Sequence, residues 1–202
     1  MRFKILLLSF KEVNNEIFKN INFFSFFLLL IFLESTSYGL DGIEIFSGYL
    51  EADLIEKEDY RGIPLLLSFD FSAKNFFKKI GFNLKRKVDF VLEPFITMTI
   101  EPSANIEIGS NFLFKYTFPL SEKLKPYFKG GVGILYMSQH TREQSTQYNF
   151  LPQAGLGIHI FLNKSTAFSL EYRFRHLSNA ATNTPNRGID ADLILTGISI
   201  FF

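Results

Sequence analysis

The chain contains no cysteine and no tryptophan in 202 residues. Without thiols neither a disulfide framework nor a thiolate metal site can form, although the redox compartment stays open. His140 and His159 have no Cys or His partner at metal-ligand spacing, so the sequence offers no metal site. The run Gly130-Gly131-Val132-Gly133 lacks the helix and lysine of a phosphate-binding loop. An excess of charge is missing too. The first 37 residues hold four of the 21 basic and three of the 20 acidic groups, which leaves 17 of each in the remainder. No global field therefore points to nucleic acid.

Long apolar runs are scarce. One stands near the start, residues 21–33 (INFFSFFLLLIFL), preceded by Lys19 and followed by Glu34. It falls short of the roughly 20 residues a membrane-spanning helix needs. With Ser35, Ser37 and Gly39 behind it, the segment reads as a signal peptide over residues 1–37, cleaved after Ser37 or Gly39. Beyond it no apolar run is long enough for a transmembrane helix.

What the chain has in abundance is phenylalanine: 26 Phe and 8 Tyr, with apolar residues at 47%. In a soluble domain this load would leave rings exposed to water, whereas it suits walls and girdles that face lipid. The apolar residues alternate with period two, which marks strands. Ile106, Ile108, Phe112, Phe114 and Tyr116 share one parity, with Asn105, Glu107, Gly109, Asn111 and Lys115 on the other. Similar runs lie at 40–54, 62–72, 88–100, 104–119, 125–139, 147–162, 165–177 and 189–202, broken at Arg61-Gly62, Glu101-Pro102-Ser103, Pro119-Leu120-Ser121, Asn163-Lys164 and 179–188. Each is long enough for a tilted membrane strand, and an even number of antiparallel strands can close without leaving an edge in lipid. Gly109, Gly131, Gly133, Gly155 and Gly157 on the inner parity suit a narrow lumen filled by side chains. The expectation is an all-β fold: an eight-stranded antiparallel transmembrane barrel over residues 38–202. A soluble lipocalin-like barrel that binds an apolar ligand would turn the same parity inward. The basic residues Lys74, Lys78, Lys79, Lys85, Arg86 and Lys87 read as a solvated turn between the second and third runs. Glu171, Arg173 and Arg175 read as lumen ion pairs with partners such as Glu107 or Lys129.

The polar residues that break this scheme cluster in 171–190 (EYRFRHLSNAATNTPNRGID). Parity places His176 and Ser178 on the apolar side, about 6.6–6.8 Å apart along the strand. Counting back from Phe202 places Asp190 there too, and a hairpin centred near Asn183 puts it opposite His176. Three polar groups on a lipid-facing wall are costly, less so near the interface. With both termini in the periplasm they would lie at the outer-leaflet boundary. Their chemistry is that of an esterase. A histidine takes the serine proton, an acid orients the imidazole, and nearby donors such as Asn179 and Asn186 stabilise the oxyanion.

The residues His176-x-Ser178-Asn179, then Pro185-Asn186-x-Gly188-Ile189 and an acid at 190, resemble the PagL-type lipid A 3-O-deacylases of the outer membrane. The resemblance extends more weakly over Leu92-Glu93-Pro94, Lys125-Pro126-Tyr127-Phe128 with the glycines 130–133, and Phe150-Leu151-Pro152-Gln153-Ala154-Gly155. It implies a serine esterase that hydrolyses the ester-linked 3-hydroxyacyl chain at position 3 of lipid A, with lipopolysaccharide as its substrate and no metal or cofactor. It further implies that His176 is the base, Ser178 the nucleophile, and Asn179 and Asn186 the oxyanion contributors. At 190 the chain departs from the family pattern, carrying Asp in place of the one-methylene-longer Glu. A small structural or adhesive barrel without catalysis is the alternative, although the external connections read short for adhesion. A homodimer is compatible with this reading.

Overall fold

The computed structural model describes residues 39–55, 59–83 and 86–202. The expected signal peptide, residues 1–37 with cleavage after Ser37 or Gly39, lies outside the described residues. From there the chain forms β1 (Leu40–Asp53), β2 (Asp59–Ser72), a short helix α1 (Lys74–Lys79), β3 (Lys87–Glu101), β4 (Asn105–Thr117), β5 (Leu124–Met137), β6 (Tyr148–Phe161), β7 (Thr166–Leu177) and β8 (Ile189–Phe201). Each strand pairs antiparallel with its neighbour in sequence, and β1 pairs with β8 from Gly42↔Phe201 to Ala52↔Ala191, which closes the barrel. Closure satisfies the strand backbone internally, as a wall in lipid requires.

Each alternating run in the sequence corresponds to one strand. The largest difference in bounds is at β2, which begins at Asp59 rather than at 62. Arg61-Gly62, expected as a break, is a bulge inside the strand, where the pairing to β3 shifts register. The Arg61 guanidinium reaches Glu51, Asp59 and Glu101 at 2.9–3.0 Å and carries the strand past the glycine.

The apolar parity faces outward. Ile45, Ile108, Leu156 and Ile194 are all more than half exposed, while Glu44, Asp70, Glu93, Glu107, Lys115 and Arg173 are buried inside. This is the inverse of a lipocalin-like barrel, so the soluble alternative fails. The lumen is filled by polar side chains and by a buried apolar cluster that includes Phe46, Leu50, Leu66, Leu135, Leu151 and Leu193, and it has almost no free width: a Cβ on Gly157 would fall 2.2 Å from Cζ of Tyr127.

Three ionic groupings hold this interior. Arg173 donates to Glu93 at 2.5 Å and to Glu171 at 2.6 Å, and Lys129 lies 3.2 Å from Glu171. Ser68 and Asn111 donate to the remaining capacity of Glu93, at 2.6 and 2.9 Å. Arg175 forms a fork on Glu107 at 2.7 and 2.9 Å, and the Tyr60 hydroxyl donates to the same carboxylate at 2.6 Å. Lys115 binds Glu44 and Asp70. The lumen ion pairs expected for Glu171, Arg173 and Arg175 are thus present.

The β2–β3 connection differs from the solvated turn read in the sequence. It forms α1, whose Phe76 and Phe77 pack back on the outer wall against Ala73, Val88, Phe90 and Phe114. The Phe77 and Phe114 ring centroids are 5.6 Å apart. Phe90 points outward yet is fully buried, because α1 covers it. The lysine density signals solvent, but the adjacent Phe76-Phe77 pair needs apolar cover and finds it only on the wall. Lys78 and Lys79 sit in the last turn, where cations complement the helix dipole.

A buried ion pair adds little net stability, but removing one partner strands the other. Arg173→Met leaves Glu93 and Glu171 sharing only Lys129. It should lower the unfolding free energy by about 3–5 kcal/mol, read as a lower urea midpoint for the barrel in lipid vesicles. An unchanged midpoint would mean the grouping does not hold the lumen.

Candidate functional site

The end of the barrel opposite the start of β1 and the end of β8 carries the polar cluster. His176 is the penultimate residue of β7 and lies directly across from Asp190 on β8. Its Nδ1 is 2.5 Å from Oδ1 of Asp190, and both side chains are on the outer wall, 40% and 65% exposed. A carboxylate oxygen accepts, so Nδ1 is the donor in this contact and Nε2 is the ring nitrogen turned away from Asp190. The neighbours on the same face, Phe174 and Ile194, are exposed apolar side chains.

Ser178 continues the outward parity one pair beyond the strand. Its backbone forms an isolated bridge with Phe150 of β6, with N–H···O distances of 2.7 and 3.0 Å. Its hydroxyl accepts from the N–H of Ala180 at 3.5 Å, and among the described residues no hydrogen bond joins it to His176. Sequence parity thus brings His176, Asp190 and Ser178 to one wall, with the His–Asp contact formed.

The two asparagines hold the loop. Asn179 is fully buried, and its Nδ2 lies within hydrogen-bonding reach of Ser145 Oγ, the Asn183 carbonyl and the Pro185 carbonyl at 3.1–3.3 Å. Its backbone N–H donates to Oδ1 of Asn186 at 3.0 Å. Its donors therefore point into the loop. Asn186, with Oδ1 so engaged, has an Nδ2 that makes no hydrogen bond among the described residues.

Several contributors had no signal in the sequence. Ala180 and Ala181 adopt left-handed conformations, φ 53° and 57°, which non-glycine residues rarely enter. The Thr182 N–H and hydroxyl, both donating to the Asn179 carbonyl at 3.1 and 2.8 Å, hold that turn. The β5–β6 connection buttresses it: Ser145 N–H donates to the Pro185 carbonyl at 3.0 Å, Arg187 N–H to the Glu143 carbonyl at 2.9 Å, and Gln144 bridges Asn186. Asp192 accepts from the Tyr172 hydroxyl one step further along the wall. Beside Ser178, an open groove of about 570 Å³ on the outer face of β4–β6 is lined by Ile108, Ile134, Tyr136, Tyr148 and Phe150, with Thr182 at the loop.

Gly188 has a specific duty. At φ 78° it lies under the imidazole, and a Cβ there would fall 2.3 Å from Cε1 of His176. Gly188→Ala should leave the barrel closed but push the ring off Asp190. The check is the His176 ring resonances in an NMR spectrum; a spectrum like that of the parent protein would show that the loop yields instead.

Comparison with known proteins follows the same lines. The family model described as lipid A 3-O-deacylase (PagL) matches residues 64–199. No curated protein sequence gives a significant match. Among solved structures, the outer membrane enzyme PagL superposes with a TM-score of 0.55 at 16% identity, over 79% of this chain and 99% of that one. Neisserial surface protein A superposes with a TM-score of 0.62 at 11% identity, over 81% of this chain and 99% of that one. At such identities the likeness of the structures speaks for the fold, a small outer-membrane barrel, and the family match speaks for the rest. The chain belongs to the lipid A 3-O-deacylase (PagL) family.

Proposed function

We propose that Ser178, His176 and Asp190 carry out the family's reaction as a serine esterase, on the outer wall of the barrel and at the level of the outer leaflet. Family membership and the barrel together make the protein an outer-membrane lipid A 3-O-deacylase. The observation that carries the residue assignment is the His176–Asp190 pair, formed on a wall otherwise given to lipid, with Ser178 on the same face.

In this reading the acyl ester approaches laterally from the membrane. Nε2 of His176 takes the proton of the Ser178 hydroxyl as Oγ attacks the ester carbonyl carbon. Asp190 holds the imidazole in the required tautomer and stabilises the imidazolium. The carbonyl oxygen becomes an oxyanion, for which Nδ2 of Asn186 is the free donor, while Asn179 keeps Asn186 in place. The intermediate collapses with loss of the sugar 3-oxygen, which takes the proton from His176. Water, deprotonated by the same histidine, then releases the 3-hydroxy fatty acid and restores Ser178. The Ser178–His176 hydrogen bond forms in the substrate complex, where catalytic hydrogen bonds that are open in the free enzyme often close. The groove along β4–β6 supplies an apolar bed for the chain being cleaved. The end with the catalytic loop faces the cell exterior and the termini face the periplasm, and the reading requires neither cofactor nor a second subunit.

Lipid A extracted from cells expressing the protein should lack one 3-hydroxyacyl chain by mass spectrometry, and the Ser178→Ala variant should leave it in place. Loss of that chain in the Ala variant would remove Ser178 from the mechanism. Asp190→Asn should lower turnover by about 10²–10⁴-fold with little change in KM, because the imidazole loses its orienting acid. Equal turnover would exclude Asp190 as the third member.

A further inference from the structure

The end of the barrel where β1 starts and β8 finishes holds a feature the reaction does not use. Lys74, Lys78 and Lys79 of α1 are exposed, as is Arg86 just before β3. Ile80 and Phe82, which follow α1 outside any strand, are also exposed, by 52% and 60%. On the neighbouring side of the same rim, Lys125 lies 4.1 Å above the Phe161 ring. Arg86, Lys87, Thr117, Pro119 and Lys125 surround a cleft of about 470 Å³. Among the described residues the acids at this end meet Lys87, with Asp41 at 3.2 Å and Asp89 at 3.6 Å, and Glu122 lies on the β4–β5 connection.

The opposite end has the reverse character. Glu51, Asp59 and Glu101 converge on Arg61, and Asp53, Asp190 and Asp192 are exposed nearby. Among the described residues the two rims therefore differ in charge, although Arg142 and Arg187 stand at the acidic one.

The placement of α1 defines the surface at the basic rim. Phe76 and Phe77 press the helix sideways onto the outer wall, beside the strand ends, and not across the lumen mouth. In that position its lysines stand where a bilayer's headgroups lie. The exposed Ile80 and Phe82 can then enter the adjoining acyl layer. Apolar side chains on one flank and cations on the other are what an interfacial helix uses to hold an anionic membrane surface.

We propose that this rim is a docking surface for anionic phospholipid headgroups of the inner leaflet, held by Lys74, Lys78 and Arg86 on the α1 side, with Lys125 beside the cleft. It rests on the proposed orientation, termini toward the periplasm, and is independent of the chemistry at Ser178. Bound phospholipid would fix the height of the barrel in the membrane and so the level of the opposite rim.

The test uses the full barrel purified in a neutral detergent, its folding checked by heat-dependent gel mobility. Native mass spectrometry then compares retention of phosphatidylglycerol, phosphatidylcholine and lipid A of matched chain lengths. Phosphatidylglycerol should be retained at least tenfold over phosphatidylcholine, less so as salt is raised. Each basic side chain near an anionic surface contributes about fivefold to binding. The triple variant Lys74→Gln, Lys78→Gln, Arg86→Gln should accordingly lose about 100-fold, while Arg187→Gln at the other rim should lose nothing. Ser178→Ala should retain the phospholipid like the parent protein, which separates this result from any failure of the hydrolase reading. Equal retention of the two phospholipids, or an unchanged triple variant, overturns the proposal. Preferential retention of lipid A through the same three side chains overturns it together with the orientation.

Discussion

Lipid offers no hydrogen bonds, and the architecture follows from that. The strand backbone must pair within the protein, so the sheet has to close, and β1 meets β8 over most of their length. Closing eight strands leaves a lumen so narrow that side chains fill it. Those side chains combine a charged set with an apolar cluster that includes Phe46, Leu50, Leu66, Leu135, Leu151 and Leu193. The charges must then be paired where water is scarce, which explains why Arg173, Arg175, Lys115 and Lys129 each meet carboxylates inside. The interior is less a reservoir of stability than a set of mutually dependent pairs that admits one arrangement.

The candidate site inherits its geometry from the same closure. An antiparallel pair sets His176 directly opposite Asp190, and period-two alternation turns both outward. The rigid wall thus supplies the imidazole and the carboxylate it meets, while Ser178 lies one residue beyond the strand and depends on the loop. That loop is kept in shape by partners from another connection, Glu143, Gln144 and Ser145, and by the mutual hold of Asn179 and Asn186. A wall that faces lipid also explains how a bilayer-embedded ester could reach a serine without passing through water.

Much of this was legible in the sequence because each strand residue has only two environments, lipid or lumen, and the chain sorts its residues accordingly. Glu107, Arg175, Phe168 and Tyr172 can be assigned to a side by counting. The pairing of His176 with Asp190 follows from the same count carried across the hairpin. The counting stops where alternation stops. The Arg61-Gly62 pair looks like a turn, but three acids around Arg61 carry the strand through it as a bulge. The lysines around α1 look solvated, but Phe76 and Phe77 bring the segment onto the wall. Asn179 looks like an oxyanion donor in the family pattern, yet its side chain is buried in the loop it holds.

The sequence by itself determined a closed eight-stranded barrel with an apolar outside and ion pairs in its lumen, and the wall on which His176, Ser178 and Asp190 lie. It could do so because lipid on one face and a packed lumen on the other impose a local rule, residue by residue. Only the tertiary structure decided which lumen charges meet, and that Gly188 must be glycine because an imidazole lies over it. It also decided that Ala180 and Ala181 turn left-handed between Ser178 and the buttressed loop, and that the basic connection lies against the wall as α1. Each of these depends on partners distant in the chain, or on backbone conformations that an alanine does not announce.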